Sequence, residues 1–168
     1  PYLFEDNTVA FMPDGYEEVT FLTETATVFY RVNMYNLNWR LPMNKLEVSK
    51  SKLGDLADFV ALGYKIKDIS IDGWASPEGE ETFNEGLSEN RAKTAYKYLT
   101  KEIKKIAKQK DSKLQITDPE TDIKWNLNHH GPDWNGFLTA VQGSDIKDKN
   151  IILNVINSAG TPAKKEQE

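Results

Sequence analysis

Cysteine is absent from the chain. That excludes disulfides, thiolate nucleophiles and thiolate zinc sites, without fixing the compartment. Only two histidines occur, the adjacent pair His129-His130. Neighbours on an extended segment point to opposite sides, so this pair is poorly placed to chelate one ion, and no metal is expected. No apolar run approaches the roughly 20 residues that a membrane-spanning helix needs, and no signal peptide is visible. A Gly-x-Ser-x-Gly elbow and a phosphate-cradling glycine loop are both missing. Asp72, Glu78, Glu80 and Glu81 gather around one loop, but four acids there read as solvation rather than as a glycosidase pair. Neither an enzyme nor a cofactor is expected. The net charge of -5 argues against nucleic acid and anionic membrane surfaces as partners. Internal repeats and low-complexity blocks are also lacking.

The 39% hydrophobic and 28% charged content over 168 residues is that of a single folded domain long enough to bury a core. Its most informative stretch runs from Ile69 to Leu99. Ile69, Ile71, Gly73 and Ala75 alternate with polar residues, which predicts a strand. Ser76-Pro77-Glu78-Gly79 breaks it, because Pro77 cannot donate to a ladder and Gly79 tolerates positive φ. From about Asn84 the period becomes helical, with Ala95, Tyr98, Leu99, Ile103 and Ile106 as the apolar stripe. Strand, polar loop and amphipathic helix make half of a βα unit. Asn84, Ser88 and Arg91 fall at i, i+4 and i+7, on one helical face beside the loop. Asn84 is placed to tie down the loop, Ser88 offers a donor and an acceptor, and Arg91 holds a fork suited to a carboxylate. A solvated helix face with an incidental arginine is the other reading of the same spacing.

Gly73-x-Ala75-Ser76-x-x-Gly79, then Asn84-x-x-Leu87-Ser88-x-x-Arg91-Ala92 with Tyr98-Leu99 behind it, resembles the core signature of OmpA-like domains. These are the peptidoglycan-associating modules of Gram-negative outer-membrane proteins and lipoproteins. The resemblance covers about thirty residues and implies a non-catalytic clamp on the diaminopimelate residue of the peptidoglycan stem peptide. It places the domain on the periplasmic side of the outer membrane, tethering an outer-membrane protein or lipoprotein to the wall. Arg91, Ser76, Glu78, Gly79, Asn84 and Ser88 are then the candidate ligand-binding residues. The chain departs from the usual Gly-His-Thr-Asp, reading Gly73-Trp74-Ala75-Ser76. Ser76 carries no charge for the ligand's ammonium, and Glu78 is the nearest substitute carboxylate. The Ala-Ser-Pro-Glu-Gly version resembles a subgroup of the family. The alternative implied is an OmpA-like scaffold for protein contacts in envelope or surface-structure assembly, with the wall site lost.

The fold class expected is α+β: an OmpA-like βαβα(β) sandwich with helices packed on one mixed sheet. An N-terminal extension or remnant of a preceding domain occupies residues 1–19, the domain 20–160, and a tail 161–168. The opening Pro1-Tyr-Leu-Phe reads as an excised piece of a longer protein, with membrane attachment through parts outside this chain. Thr20 to Met34 is rich in Thr, Val, Phe and Tyr and is expected as the first strand. Tyr35 to Asn44 reads as a loop with Trp39 packed. Ser49 is placed to cap a helix ending at Leu62, with Leu53, Leu56, Ala57 and Val60 inward and Gly63 in the left-handed position after it. The lysine-rich run from Lys101 to Lys113 reads as a solvated helix end. Leu114 to Ile116 and Ile123 to Leu127 are strand candidates around a turn at Asp118-Pro119. Asp133-Trp134 opens a helix burying Phe137, Leu138 and Val141. A last helix, Ile146 to Ile156, is expected to bury Ile151, Ile152, Val155 and Ile156.

Overall fold

In the computed structural model residues 20–159 are described; the expected extension over 1–19 and the tail over 161–168 lie outside them. The central unit is β1 (Ile69–Ala75), α3 (Glu81–Ala107) and β2 (Trp125–Pro132). The two strands pair in parallel, Ile69 opposite Trp125 through Gly73 opposite His129, with a bulge before Ala75 meets Pro132. Parallel strands need a long crossover, and the 27 residues of α3 supply it while covering one face of the sheet. The α+β class holds. The sheet, however, is two-stranded and parallel among the described residues, not the mixed sheet expected.

The alternation in β1 decides which face α3 covers. Ile71, Gly73 and Ala75 are buried while Ser70, Asp72 and Trp74 are exposed. Gly73 permits the approach: a Cβ there would lie 2.2 Å from the Ser88 carbonyl oxygen and 3.1 Å from the Ala92 Cβ. Further along α3, Ile103 and Ile106 join Val60, Leu114 and Ile123 in the main core cluster, with Leu99, Ile66, Ile69 and Trp125 packed against it. Val60 comes from α2 (Glu47–Ala61), which follows the short α1 (Pro42–Lys45). The α2 start precedes Ser49 and has no side-chain cap, so Ser49 is not the capping residue. Gly63 has φ 77°, as expected, and the N–H of Lys113 donates to the Ala61 carbonyl at 2.9 Å beside it.

Two strand expectations fail for one reason, the lack of a neighbouring ladder. Residues 20–34 form no strand. Their backbone groups go to side chains instead: Phe29 N–H donates to Asn44 Oδ1 (2.7 Å), and Asn44 Nδ2 donates back to the Phe29 carbonyl (2.8 Å). Leu114 to Ile116 also forms no strand, although Leu114 is buried. Asp118-Pro119 starts a four-residue helix, α4 (Pro119–Asp122), with Asp118 capping it; the strand expected over Ile123 to Leu127 is present from Trp125 as the start of β2, paired with β1.

The lysines at the end of α3 pair on the surface, Lys104 with Glu120 (2.9 Å) and Asp118 (3.3 Å) and Lys105 with Glu102 (2.6 Å). Trp39 packs against Tyr98, ring centroids 4.9 Å apart. Asp133 caps α5 (Trp134–Gln142) through Gly136 N–H at 2.8 Å. Val141 is buried there, but Phe137 is not. In α6 (Lys149–Ala159) Ile156 is buried while Ile151 is 63% exposed, so the inward stripe is narrower than the pattern suggested. No helix among the described residues is long and apolar enough to cross a membrane.

Candidate functional site

The polar residues singled out on α3 do share one face, and that face is buried: Asn84 and Ser88 are 0% exposed and Arg91 7%. Each is tied to a different piece of backbone. Asn84 Nδ2 donates to the Glu78 carbonyl at 3.0 Å, which fixes the loop whose turn Gly79 makes at φ 88°. The Ser88 hydroxyl donates to the Glu85 carbonyl (2.8 Å) and accepts the buried N–H of Gly131 (3.0 Å). The helix is thereby bonded to the end of β2.

Arg91 spans three carbonyls. Nη1 donates to Trp74 (2.8 Å), Nη2 to Arg31 (2.9 Å) and Nε to Met34 (3.0 Å). Burial lowers its pKa from the ordinary value, but a guanidinium stays charged, and three carbonyl dipoles now take the place of water around it. Tyr30 completes the arrangement. Its hydroxyl donates to the Arg91 carbonyl at 3.1 Å and its ring lies 5.2 Å from the guanidinium carbon. Burial pushes the phenol up to about 12, against the opposing pull of the Arg91 charge.

The fork that the spacing suggested for a ligand carboxylate is thus spent on the end of β1 and on the turn at 31–34. That turn holds Asn33 at φ 57°, a left-handed conformation that asparagine tolerates better than most residues. It forms one wall of a groove of about 310 Å³ whose lining includes Tyr35, Phe83 and Leu87.

Glu78 and Gly79 are exposed on the loop, and Ser76 is half-buried. Two buried polar atoms here, Ser76 Oγ and Asn84 Oδ1, have no hydrogen-bond partner among the described residues. The loop therefore brings together Ser76, Glu78, Gly79 and Asn84, while Ser88 and Arg91 lie on the same face and bond away from it.

Sequence reasoning missed Tyr30, which sits in a segment expected as a strand, and Asn44, which ends a segment expected as a loop. It also missed the group made by Asp72, Trp74, Asn128 and His130. The period-2 alternation of β1 put Asp72 and Trp74 on one side, but nothing in the sequence named β2 as the neighbour. His129 and His130 lie on the extended β2, and among the described residues no group of three or more His, Asp or Glu is arranged to hold a metal ion. Comparison of the chain with family models, with curated proteins and with solved structures gives no match.

Proposed function

We propose that this chain is a non-catalytic OmpA-like module of the cell envelope, on the periplasmic side of the outer membrane. In this reading it works as a scaffold for protein contacts in envelope or surface-structure assembly. One observation carries the choice over wall binding: Arg91 is 7% exposed and donates to three backbone carbonyls. Gripping a ligand carboxylate would require breaking those bonds and stranding carbonyls in a buried place, at about 1–3 kcal/mol for each one left unsatisfied. Ser76 removes the other charge that a zwitterionic ligand would use. The OmpA-like part of the reading rests on the βα unit and on physical reasons for its residues. Gly73 and Ala92 meet at the strand–helix contact, and Gly79 takes positive φ.

The test is sedimentation with purified diaminopimelate-type sacculi. The expected result is that the chain stays in the supernatant. Co-sedimentation that an Arg91→Ala variant loses while remaining folded overturns the scaffold reading.

A second reading, wall binding, has its own observation. Ser76 Oγ and Asn84 Oδ1 beside the loop are buried and have no hydrogen-bond partner among the described residues, and an unsatisfied buried polar group calls for an explanation such as a ligand or an ordered water. If that reading holds, Ser76→Asp strengthens binding of a diaminopimelate-containing muropeptide by calorimetry. If neither form binds at millimolar ligand, the second reading is excluded.

A further inference from the structure

Among the described residues the sheet face opposite α3 is left exposed. Parallel sheets are ordinarily covered on both faces, yet Ser70, Asp72 and Trp74 of β1 and Asn128 and His130 of β2 are exposed, with Asn126 half-buried. These side chains form a ladder across the strands. Asn126 Nδ2 donates to Ser70 Oγ (3.3 Å), Asn128 Nδ2 donates to Asp72 Oδ1 (3.1 Å), and His130 Nε2 lies 2.7 Å from the same oxygen. Trp74 stacks on the His130 ring, centroids 4.0 Å apart and planes within 13°, and remains 44% exposed. The bulge between Gly73 and Ala75 falls at Trp74, and bulges re-aim the side chains they carry.

The hydrogen bonds of the ladder leave a carboxylate oxygen and two amide oxygens uncommitted on this face. Asn126 and Asn128 each spend an N–H inside the ladder, and His130 bonds Asp72 through Nε2. Among the atoms left over are three acceptors, Asn126 Oδ1, Asn128 Oδ1 and Asp72 Oδ2, which have no partner among the described residues, while each amide also keeps one N–H. One of them belongs to a carboxylate, and beside it lies an indole whose π-face is electron-rich. Acceptors, a negative charge and an aromatic face complement a planar cation that only donates. A guanidinium meets all three conditions; a lysine ammonium is more strongly hydrated and cannot stack. Asp72 and Trp74 are two residues apart on one face, so about 7 Å separates their positions along the strand, within reach of one arginine laid along it.

We propose that this open face docks an arginine side chain of a protein partner, its guanidinium plane on Trp74 and its N–H groups on Asp72 Oδ2 and Asn128 Oδ1. The inference rests on the protein-contact reading above and names the chemistry of the partner.

The test is a titration of the ¹⁵N-labelled chain with acetyl-Gly-Gly-Arg-Gly-Gly-amide, its lysine counterpart, and the citrulline counterpart that keeps the shape without the charge. The arginine peptide is expected to shift the Trp74 indole N–H and the side-chain amides of Asn126 and Asn128 in a saturable way. Affinity is expected to fall about fivefold for the citrulline peptide and in Asp72→Asn, the upper range for an exposed charge pair. Trp74→Ala is expected to abolish the preference for arginine over lysine. Equal responses to arginine and citrulline, or shifts scattered over other acids, overturn the proposal; this comparison needs no variant and so does not depend on a variant folding. Sacculus sedimentation is read independently. Binding there overturns the scaffold reading, whereas a silent peptide titration without sacculus binding overturns the arginine proposal alone.

Discussion

The guanidinium of Arg91 donates to the carbonyl of Trp74 at 2.8 Å across the junction of α3 and β1, and the same side chain holds Arg31 and Met34. One residue therefore locks together the strand end, the helix and a turn about 60 residues earlier in sequence. Arg91→Ala is expected to lower stability by about 2–4 kcal/mol, because hydrogen bonds to a charged group are lost and buried carbonyls are left unpaired. Arg91→Lys should recover little, since a single ammonium cannot reproduce the planar fork. Chemical denaturation measures both. A ligand-gripping arginine on an exposed face would leave the midpoint nearly unchanged.

Ser88 makes the second junction, from α3 to β2. Its Oγ is the acceptor for the buried Gly131 N–H. Ser88→Ala leaves that donor without a partner, at a cost of about 1–3 kcal/mol. Amide exchange provides the local readout, with the Gly131 N–H expected to exchange faster by more than its neighbours in the strand. Uniform acceleration along β2 would indicate global destabilisation instead.

How much of this was legible in the sequence depended on whether a residue's neighbours were local. Gly63, Gly79 and the helix start at Asp133-Trp134 are decided by backbone geometry within a few residues, and the structure has them as read. The alternation of β1 and the spacing of Asn84, Ser88 and Arg91 were equally legible. Which way that polar face points was not. Hydropathy sends arginine outward, and only the turn at 31–34 and the end of β1, remote in sequence, bring carbonyls enough to bury it. Residues 20–34 illustrate the same limit from the other side. Their composition favours a strand, but strand preference expresses packing against neighbours, and Asn44 and Arg91 bind their backbone where a strand would have. The polar ladder on the open sheet face required knowing that β2 pairs with β1 in parallel, which depends on the path of α3.

Glycines separate contact from conformation. At Gly73 a methyl group would meet the Ser88 carbonyl oxygen at 2.2 Å, backbone that cannot move without shifting α3. Gly73→Ala is expected to destabilise by about 1–3 kcal/mol, as overpacking does. Gly54 lies inside α2 with nothing within 4 Å of a built Cβ. There alanine should stabilise by about 0.5–1 kcal/mol through its better helix propensity. Thermal denaturation of the two variants should move the midpoint in opposite directions. A neutral Gly73→Ala would mean that α3 does not approach β1 as closely as described.

The last prediction concerns acid. Hydrogen bonds from His130 and then Asn128 hold the Asp72 carboxyl below its ordinary range. Its folded pKa is therefore lower than its unfolded one, near 3.9. By linkage, the stabilisation from this group is fully present above the unfolded value and is lost as pH falls through the folded one. The sensitive window lies below about pH 4, and the effect is small because the pair is exposed to solvent and screened. Denaturation midpoints of the wild type and Asp72→Asn, measured from about pH 6 down to pH 2 to bracket that value, should differ at the upper end and converge at the lower. The Trp74 indole stacks on His130, so its N–H resonance should move over the same range in the wild type and stay still in the variant. A constant difference between the two proteins across the whole range would show that Asp72 contributes through shape rather than through its charge.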